Sequence, residues 1–428
     1  GPAYVVHPPL GKWMIAAGEQ LFGNNELGWR FPAAIAGTLM ILILIRVAYR
    51  LFHSMLLAGA AGLLMALDGF HLVLSRTSLL DIFLGLFVLA TFAALVLDRD
   101  HYRRRWLRSL EDNYEPGRTP RLPFIVPWWL LVAGATLGLA CGVKWSALFF
   151  APFFAVLVIV WRVQARRTAG VRGPFLAGII GDLGWLLLSF VLAIVFYLAT
   201  WIGWFVTDTG YFRHYREAND MSEPPVLGAL LNLVHYHQEA FRFHSGLTER
   251  HVYQSWPWQW LLLGRPVAFY WNNGGSCGAP SCAREILLLG TPVLWWSFLP
   301  ALAALVWFGI ARRDWRAWAI GTGVLAGLLP WFYFAIADGR TMFSFYVLPA
   351  LPFLILAVVY VLGAIMTPPG GLATGSLRTD RQIIGMVVVA AYVILVAICF
   401  AYFYPIFVGK VIPYDDWSAR MWLGGRWI

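Results

Sequence analysis

Ten apolar stretches, each near the length that crosses a hydrocarbon layer, follow one another along this chain and leave few folds open to it. They lie near residues 30–52, 54–75, 79–97, 126–143, 144–161, 174–201, 286–310, 317–337, 343–366 and 383–408. A bilayer core takes about 20 apolar residues in helical form, and within it every backbone N–H and C=O must find its partner inside the segment. The expected fold is therefore an all-α polytopic integral membrane protein, a helical bundle of ten spans. Composition agrees, with 60% hydrophobic and 13% charged residues against about 25% charged in a soluble domain. The 23 Trp residues suit many interface crossings, because an indole favours headgroup depth.

A formal charge of +10 raises the question of nucleic acid. The Arg residues, however, sit in short connections between spans and form no basic stripe. They occupy alternate connections: RVAYRLFH, DRDHYRRRWLRSLEDNYEPGRTPR, WRVQARRTAGVRG, ARRDWR and LRTDRQ. By the positive-inside bias these five face the cytoplasm. The chain then divides into an outer segment with an interfacial helix (1–28), six spans (29–202), a long outer loop (203–285), four spans (286–408) and an outer tail (409–428). The start at Gly1-Pro-Ala carries no initiator Met and no signal-like run, so an eleventh span is expected upstream.

Cys141 and Cys399 lie inside apolar spans and read as small buried hydrophobes. Cys277 and Cys282 share the polar loop GGSCGAPSC, where a short disulfide and a metal clip are the two readings. His235 and Glu239 stand four apart on a helical pattern and invite the same question about a metal. A structural or acceptor-contacting role is the preferred reading of that pair.

Ionisable residues at span edges are costly in hydrocarbon and so are candidates for function. Asp81 opens a span at its outer end, where a carboxylate can reach a site outside the membrane; a plain helix-dipole charge is the competing reading. Asp68 and His71 lie within a span and suggest either a proton relay of a carrier, with Lys144 at another outer turn, or a local pair. His7, Lys12, Arg30, Arg340 and Tyr346 fall on outer segments and together offer the cationic and hydroxyl groups that hold a lipid phosphate. Interface anchoring is the alternative for each. No P-loop, dinucleotide fingerprint, nucleophile elbow or zincin motif appears.

The segments YVVHPPLGKW, GWRFPAAIAG, DGFHLVLSRTSLLDIFL, KWSALFFAP, SFYVLPALPF and P-x₇-PYDDWSARMW, in this order, resemble the bacterial, actinobacterial-type protein O-mannosyltransferases. These are polytopic glycosyltransferases of the GT-C class. The resemblance implies inverting transfer of mannose from polyprenyl-phosphate-mannose to Ser or Thr hydroxyls of exported polypeptides, on the outer face of the cell membrane and with the secretion translocon as a further partner. It implies no cofactor, assigns no metal ligand and leaves a divalent metal open. Asp81 matches the second acidic residue of the outer site, and the leading Asp-Glu pair with the base would precede Gly1. His7 stands where the related aminoarabinose transferases have a phosphate-contacting Lys, Tyr346 matches an aromatic hydroxyl on the same phosphate, and Arg30 a required basic residue. The Trp-rich stretch with Trp256 and Trp258, together with His235 and His237, is the expected grip on an acceptor peptide. A sibling enzyme moving another lipid-linked sugar to a lipid or glycan is the alternative within this class.

Overall fold

The computed structural model of the protein describes residues 4–113, 121–122, 124–366 and 380–427. Parts of two Arg-bearing connections, over 114–120 and 367–379, lie outside the described residues.

The segment before the first span forms α1 (Leu10–Phe22), with Pro9 at its N-cap. Proline is tolerated at a helix start, where no intrahelical partner awaits its missing N–H. A Cβ on Gly18 would come within 2.3 Å of the Gly28 carbonyl oxygen, so a glycine there lets α1 lie against the first turn of α2 (Glu26–Phe52). Asn25 starts that second helix by accepting the Leu27 and Gly28 N–H groups at 3.0 and 3.1 Å, as an N-cap residue does.

The span expected over 54–75 is broken. It consists of α3 (Met55–Ala66) and α4 (Gly69–Leu74), with the break at Leu67 and Asp68. The buried Asp68 carboxylate accepts the His71 N–H at 3.0 Å, the Thr291 N–H at 3.0 Å and the Trp295 indole N–H at 2.8 Å. Three donors compensate its burial, and they tie the break to a helix more than two hundred residues away. Asp68 meets His71 through the backbone, not the ring, so the pair is a helix cap and not a relay.

Next comes α5 (Asp81–Asn113), 33 residues and therefore about 50 Å long. It runs well beyond residue 97 into the Arg-rich connection, because Tyr102 and Trp106 there bury themselves against Ala165 and Ala169. The chain continues through α6 (Trp128–Val143), a 3₁₀ turn over Trp145–Phe149, α7 (Phe150–Thr168) and α8 (Pro174–Ala199). Gly134, Gly138 and Gly142 recur every fourth residue on α6. Cβ atoms on the first two would meet the Ser189 and Ala193 carbonyl oxygens at 2.2 Å, so small residues permit backbone-to-backbone packing of α6 on α8.

The long loop is more structured than its polarity indicated. It holds α9 (Ile202–Val206), α10 (Leu227–Ser245), α11 (Pro257–Trp260) and a hairpin of β1 (Val267–Asn272) with β2 (Cys282–Leu288), antiparallel with Val267 opposite Leu288. Cys277 and Cys282 form a disulfide across the hairpin turn, which removes the metal-clip reading. Then follow α12 (Pro292–Arg312), α13 (Trp315–Ile336), a 3₁₀ segment Ser344–Ala350, α14 (Leu351–Met366) and α15 (Asp380–Val408). The tail adds β3 (Ile412–Pro413), which extends the hairpin by pairing with β2, and α16 (Tyr414–Ser418).

Among the described residues, eight helical stretches are long and apolar enough to cross a membrane, while α3 and α6 span 12 and 16 residues. Ten equal spans thus become eight full ones and two shorter ones. The core gathers around α5 and α14, where Phe92 meets Phe353 edge to face at 4.9 Å.

Candidate active site

The start of α5, the turn between α6 and α7, the segment before α1 and the turn after α13 converge at one end of the bundle. Asp81, the first residue of α5, is 1% exposed and accepts a hydrogen bond from Lys144 Nζ at 2.7 Å. Lys144 is the residue after α6, and its ammonium also lies 5.4 Å from the Tyr346 ring and 5.6 Å from that of Phe345. Tyr346 in turn stacks on Trp331 at 4.6 Å.

His7 and His244 stack at 5.1 Å. His244 donates from Nε2 to the Val6 carbonyl at 3.0 Å, which leaves Nδ1 to accept from the Arg340 guanidinium at 3.4 Å. That arrangement is the neutral imidazole. Burial lowers the His244 pKa, with Arg340 and Lys144 adding to the effect. His7 is pushed down to about 2 by burial first and then by Lys144, His244, Lys12 and Arg340. Lys12 donates to the His7 carbonyl at 3.0 Å, and burial lowers its pKa to about 8. The site therefore holds three cations, Lys12, Lys144 and Arg340, around a single bonded carboxylate, Asp81, with two histidines kept neutral between them.

The expected residues do not all meet here. His7, Lys12, Asp81, Arg340 and Tyr346 do. Arg30 points to its own helix instead, pairing with Glu26 at 3.3 Å and lying over the Trp29 ring at 4.5 Å. The four acceptor candidates disperse to three places. Trp256 and Trp258 stack at 5.5 Å on the turn that sets Trp260 edge-on to Tyr346 at 6.4 Å. His235 stacks on Tyr215 at 3.5 Å, while its supposed metal partner Glu239 pairs with Arg242, so the two share no ion. His237 stacks on Trp145 at 5.3 Å. Its Nδ1 donates to the Leu233 carbonyl at 2.7 Å, so Nε2 accepts from the Tyr197 hydroxyl, which itself accepts from the Trp145 indole at 3.1 Å. This chain anchors α10 beside Lys144.

Lys144, His244, Trp145 and Tyr197 are the site residues that sequence reasoning did not assign to it. An ionisable residue ending a 16-residue apolar run was a usable signal for Lys144; nothing local marked the other three. Elsewhere His214, Glu217 and Glu223 bring ligand atoms within 4.8 Å of one another on an exposed part of the long loop, where Glu223 is already bonded to Asn232 at 2.8 Å.

The fold is that of the polytopic GT-C membrane glycosyltransferases. It superposes on the S. cerevisiae protein O-mannosyltransferase Pmt1-Pmt2 complex bound to the sugar donor with a TM-score of 0.70 at 15% identity, over 100% of this chain and 87% of that one. Residues 6–110 match the model of the dolichyl-phosphate-mannose-protein mannosyltransferases, and residues 229–427 that of the C-terminal four-TMM region of protein-O-mannosyltransferase. Over 99% of its length the chain is 40% identical to the polyprenol-phosphate-mannose--protein mannosyltransferase of Mycolicibacterium smegmatis, and 39% identical to that of Mycobacterium tuberculosis, covering 82% and 81% of those proteins. The chain belongs to the polyprenol-phosphate-mannose--protein mannosyltransferase family, and it is a multi-pass membrane glycosyltransferase.

Proposed function

We propose that the Lys144 cluster is where a polyprenyl-phosphate-mannose donor is held and its mannose passed, with inversion, to a Ser or Thr hydroxyl of a polypeptide. The observation that carries this reading is the charge imbalance. Lys12, Lys144 and Arg340 outnumber the one carboxylate bonded among them, and burial with cationic neighbours keeps His7 uncharged down to about pH 2. Lys144 is buried and Lys12 and Arg340 are half-buried, and cations so withdrawn from water are costly unless an anion completes them.

The chemistry places the negative charge. The acceptor oxygen attacks the anomeric carbon from the face opposite the phosphate, and its bond forms as the bond from carbon to phosphate oxygen breaks. The hydroxyl proton leaves to a base, and the electron pair leaves with the lipid phosphate. Lys144, Arg340 and Lys12 stabilise the charge that grows there, and the Tyr346 hydroxyl is a further donor. Asp81, buried against Lys144, positions that ammonium and is not open to an acceptor hydroxyl. The Trp256–Trp258 stack beside the cluster, with Trp258 exposed, suits an extended peptide. The arginine bias of alternate connections supports a plasma-membrane enzyme with this site on the extracytoplasmic face, meeting chains as they leave the translocon.

The test is mannose transfer from a polyprenyl-phosphate donor to a Ser/Thr peptide in membranes holding the protein. Loss of transfer in Lys144→Ala, Arg340→Ala and His7→Ala, with Arg30→Ala less affected, supports the assignment. Unchanged rates in the first three end it.

A further inference from the structure

At the end of the bundle opposite Asp81, the last turns of α2, α12 and α14 and the first turns of α3 and α13 enclose a cavity of about 260 Å³. Phe52, Leu57, Tyr360, Gly363, Arg312 and Arg316 line it. An adjoining hollow of about 440 Å³ shares both arginines and adds His53 and Asp314. At about 30 Å³ per water, the first cavity has room for more than a bare hydrated ion.

Its charges are unequally committed. Asp314 holds the Arg316 guanidinium at 2.6 Å and accepts the Tyr360 hydroxyl at 2.9 Å, so that carboxylate and that arginine neutralise each other. Arg312 has no carboxylate partner among the described residues; its guanidinium lies 4.2 Å from the Phe308 ring. His53 and Arg313 stand nearby, both exposed. Below these polar groups the wall turns apolar through Phe52, Leu57 and Gly363. A free cation at the end of a 21-residue spanning helix sits at headgroup depth, and an apolar floor beneath it faces the acyl region.

We propose that this cavity binds an anionic phospholipid, its phosphodiester on Arg312 and the start of its acyl chain against Phe52 and Leu57. A soluble phosphate would use the arginine but leave the apolar floor idle, and a zwitterionic lipid would use the floor but bring an ammonium to the guanidinium. The site is remote from the proposed donor cluster and does not depend on it.

Native mass spectrometry of the full chain, equilibrated in micelles with equal amounts of phosphatidylglycerol and phosphatidylcholine, tests the proposal. One phosphatidylglycerol should be retained with a preference of about fivefold, the amount one cation at a headgroup supplies. Arg312→Gln and Ala364→Trp, the second at a lining residue beside Gly363 and filling the floor without touching charge, should each bring the ratio close to one, whereas Arg312→Lys should keep most of it. Each variant is first matched to the parent in gel filtration. A ratio near one in the parent, or a preference that survives both Arg312→Gln and Ala364→Trp, overturns the proposal. Displacement of the lipid by inorganic phosphate overturns it too, since the ligand would then be a soluble anion.

Discussion

The bundle buries charge at both ends, and the two clusters differ in whether the charge is balanced. At one end Arg162 meets Asp98 at 2.6 Å and Asp182 at 2.8 Å, and Arg166 meets the second oxygen of Asp182. Two arginines face two aspartates, and the Tyr102 ring lies 4.6 and 5.5 Å from their guanidinium centres. At the other end Lys144 has Asp81, but among the described residues Lys12 is bonded only to a carbonyl and Arg340 only to an imidazole. A closed network asks nothing of a ligand and serves to lock α5, α7 and α8 together. An open one leaves cations waiting, and an anionic ligand completes it. The same residue types thus have opposite meanings, and the count of partners separates them.

Disturbing each cluster in turn can break that contrast. Asp182→Ala strands the buried Arg166 guanidinium and leaves Arg162 with Asp98 alone, and should cost about 3–5 kcal/mol of stability, read as a lower midpoint in a thermal-aggregation assay, while transfer per folded molecule stays at the parent's rate. Lys144→Ala should reverse the pattern, lowering transfer by about 10²–10³-fold, as loss of one transition-state donor does. If Asp182→Ala instead removes transfer from well-folded protein, the inner cluster is not merely structural.

Glu285 is a third case, a buried carboxylate whose one hydrogen-bonding side chain among the described residues is the Trp417 indole at 2.6 Å. Burial raises its pKa to about 7 from an ordinary 4.5. The folded state therefore holds the proton more tightly than the unfolded one, so the group's contribution is complete below about pH 4.5 and is lost as pH rises through 7. Glu285→Gln should flatten that slope and, above pH 7, exceed the parent by up to about 3 kcal/mol; equal thermal midpoints at pH 5 and pH 8 in the parent would contradict this. Among the cations of the cluster a smaller effect than that of Lys144→Ala is expected for Arg340→Ala, about tenfold in kcat/KM for the donor, because Lys12 and Lys144 remain.

Much of this was legible in the sequence. The ten apolar runs, the place of Asp81 at the start of a helix, the amphipathic α1 and the Cys277–Cys282 pair each rest on local pattern, and local pattern survives folding. The break at Asp68 was not legible, because the donors that make it possible, Thr291 and Trp295, come from a distant helix. The same holds for the site. Proximity of His7 to His244, or of Lys144 to Asp81, is a long-range fact that no spacing encodes. Arg30 failed to join the cluster because Glu26, one turn earlier, offers its guanidinium a nearer partner. The strands β1 and β2 were hidden in a loop whose polar tip and Trp content outweighed two short apolar runs.

The most direct measurement is the affinity of the chain for a polyprenyl phosphate without its sugar, compared among the parent, the Lys144→Ala/Arg340→Ala double variant and Asp182→Ala. An open cationic cluster that holds the lipid phosphate requires binding to weaken by about a hundredfold in the double variant, two charged contacts' worth, and to persist in Asp182→Ala. Equal affinity in the parent and the double variant would show that the phosphate is held elsewhere, and the balance of charge would no longer distinguish the two clusters.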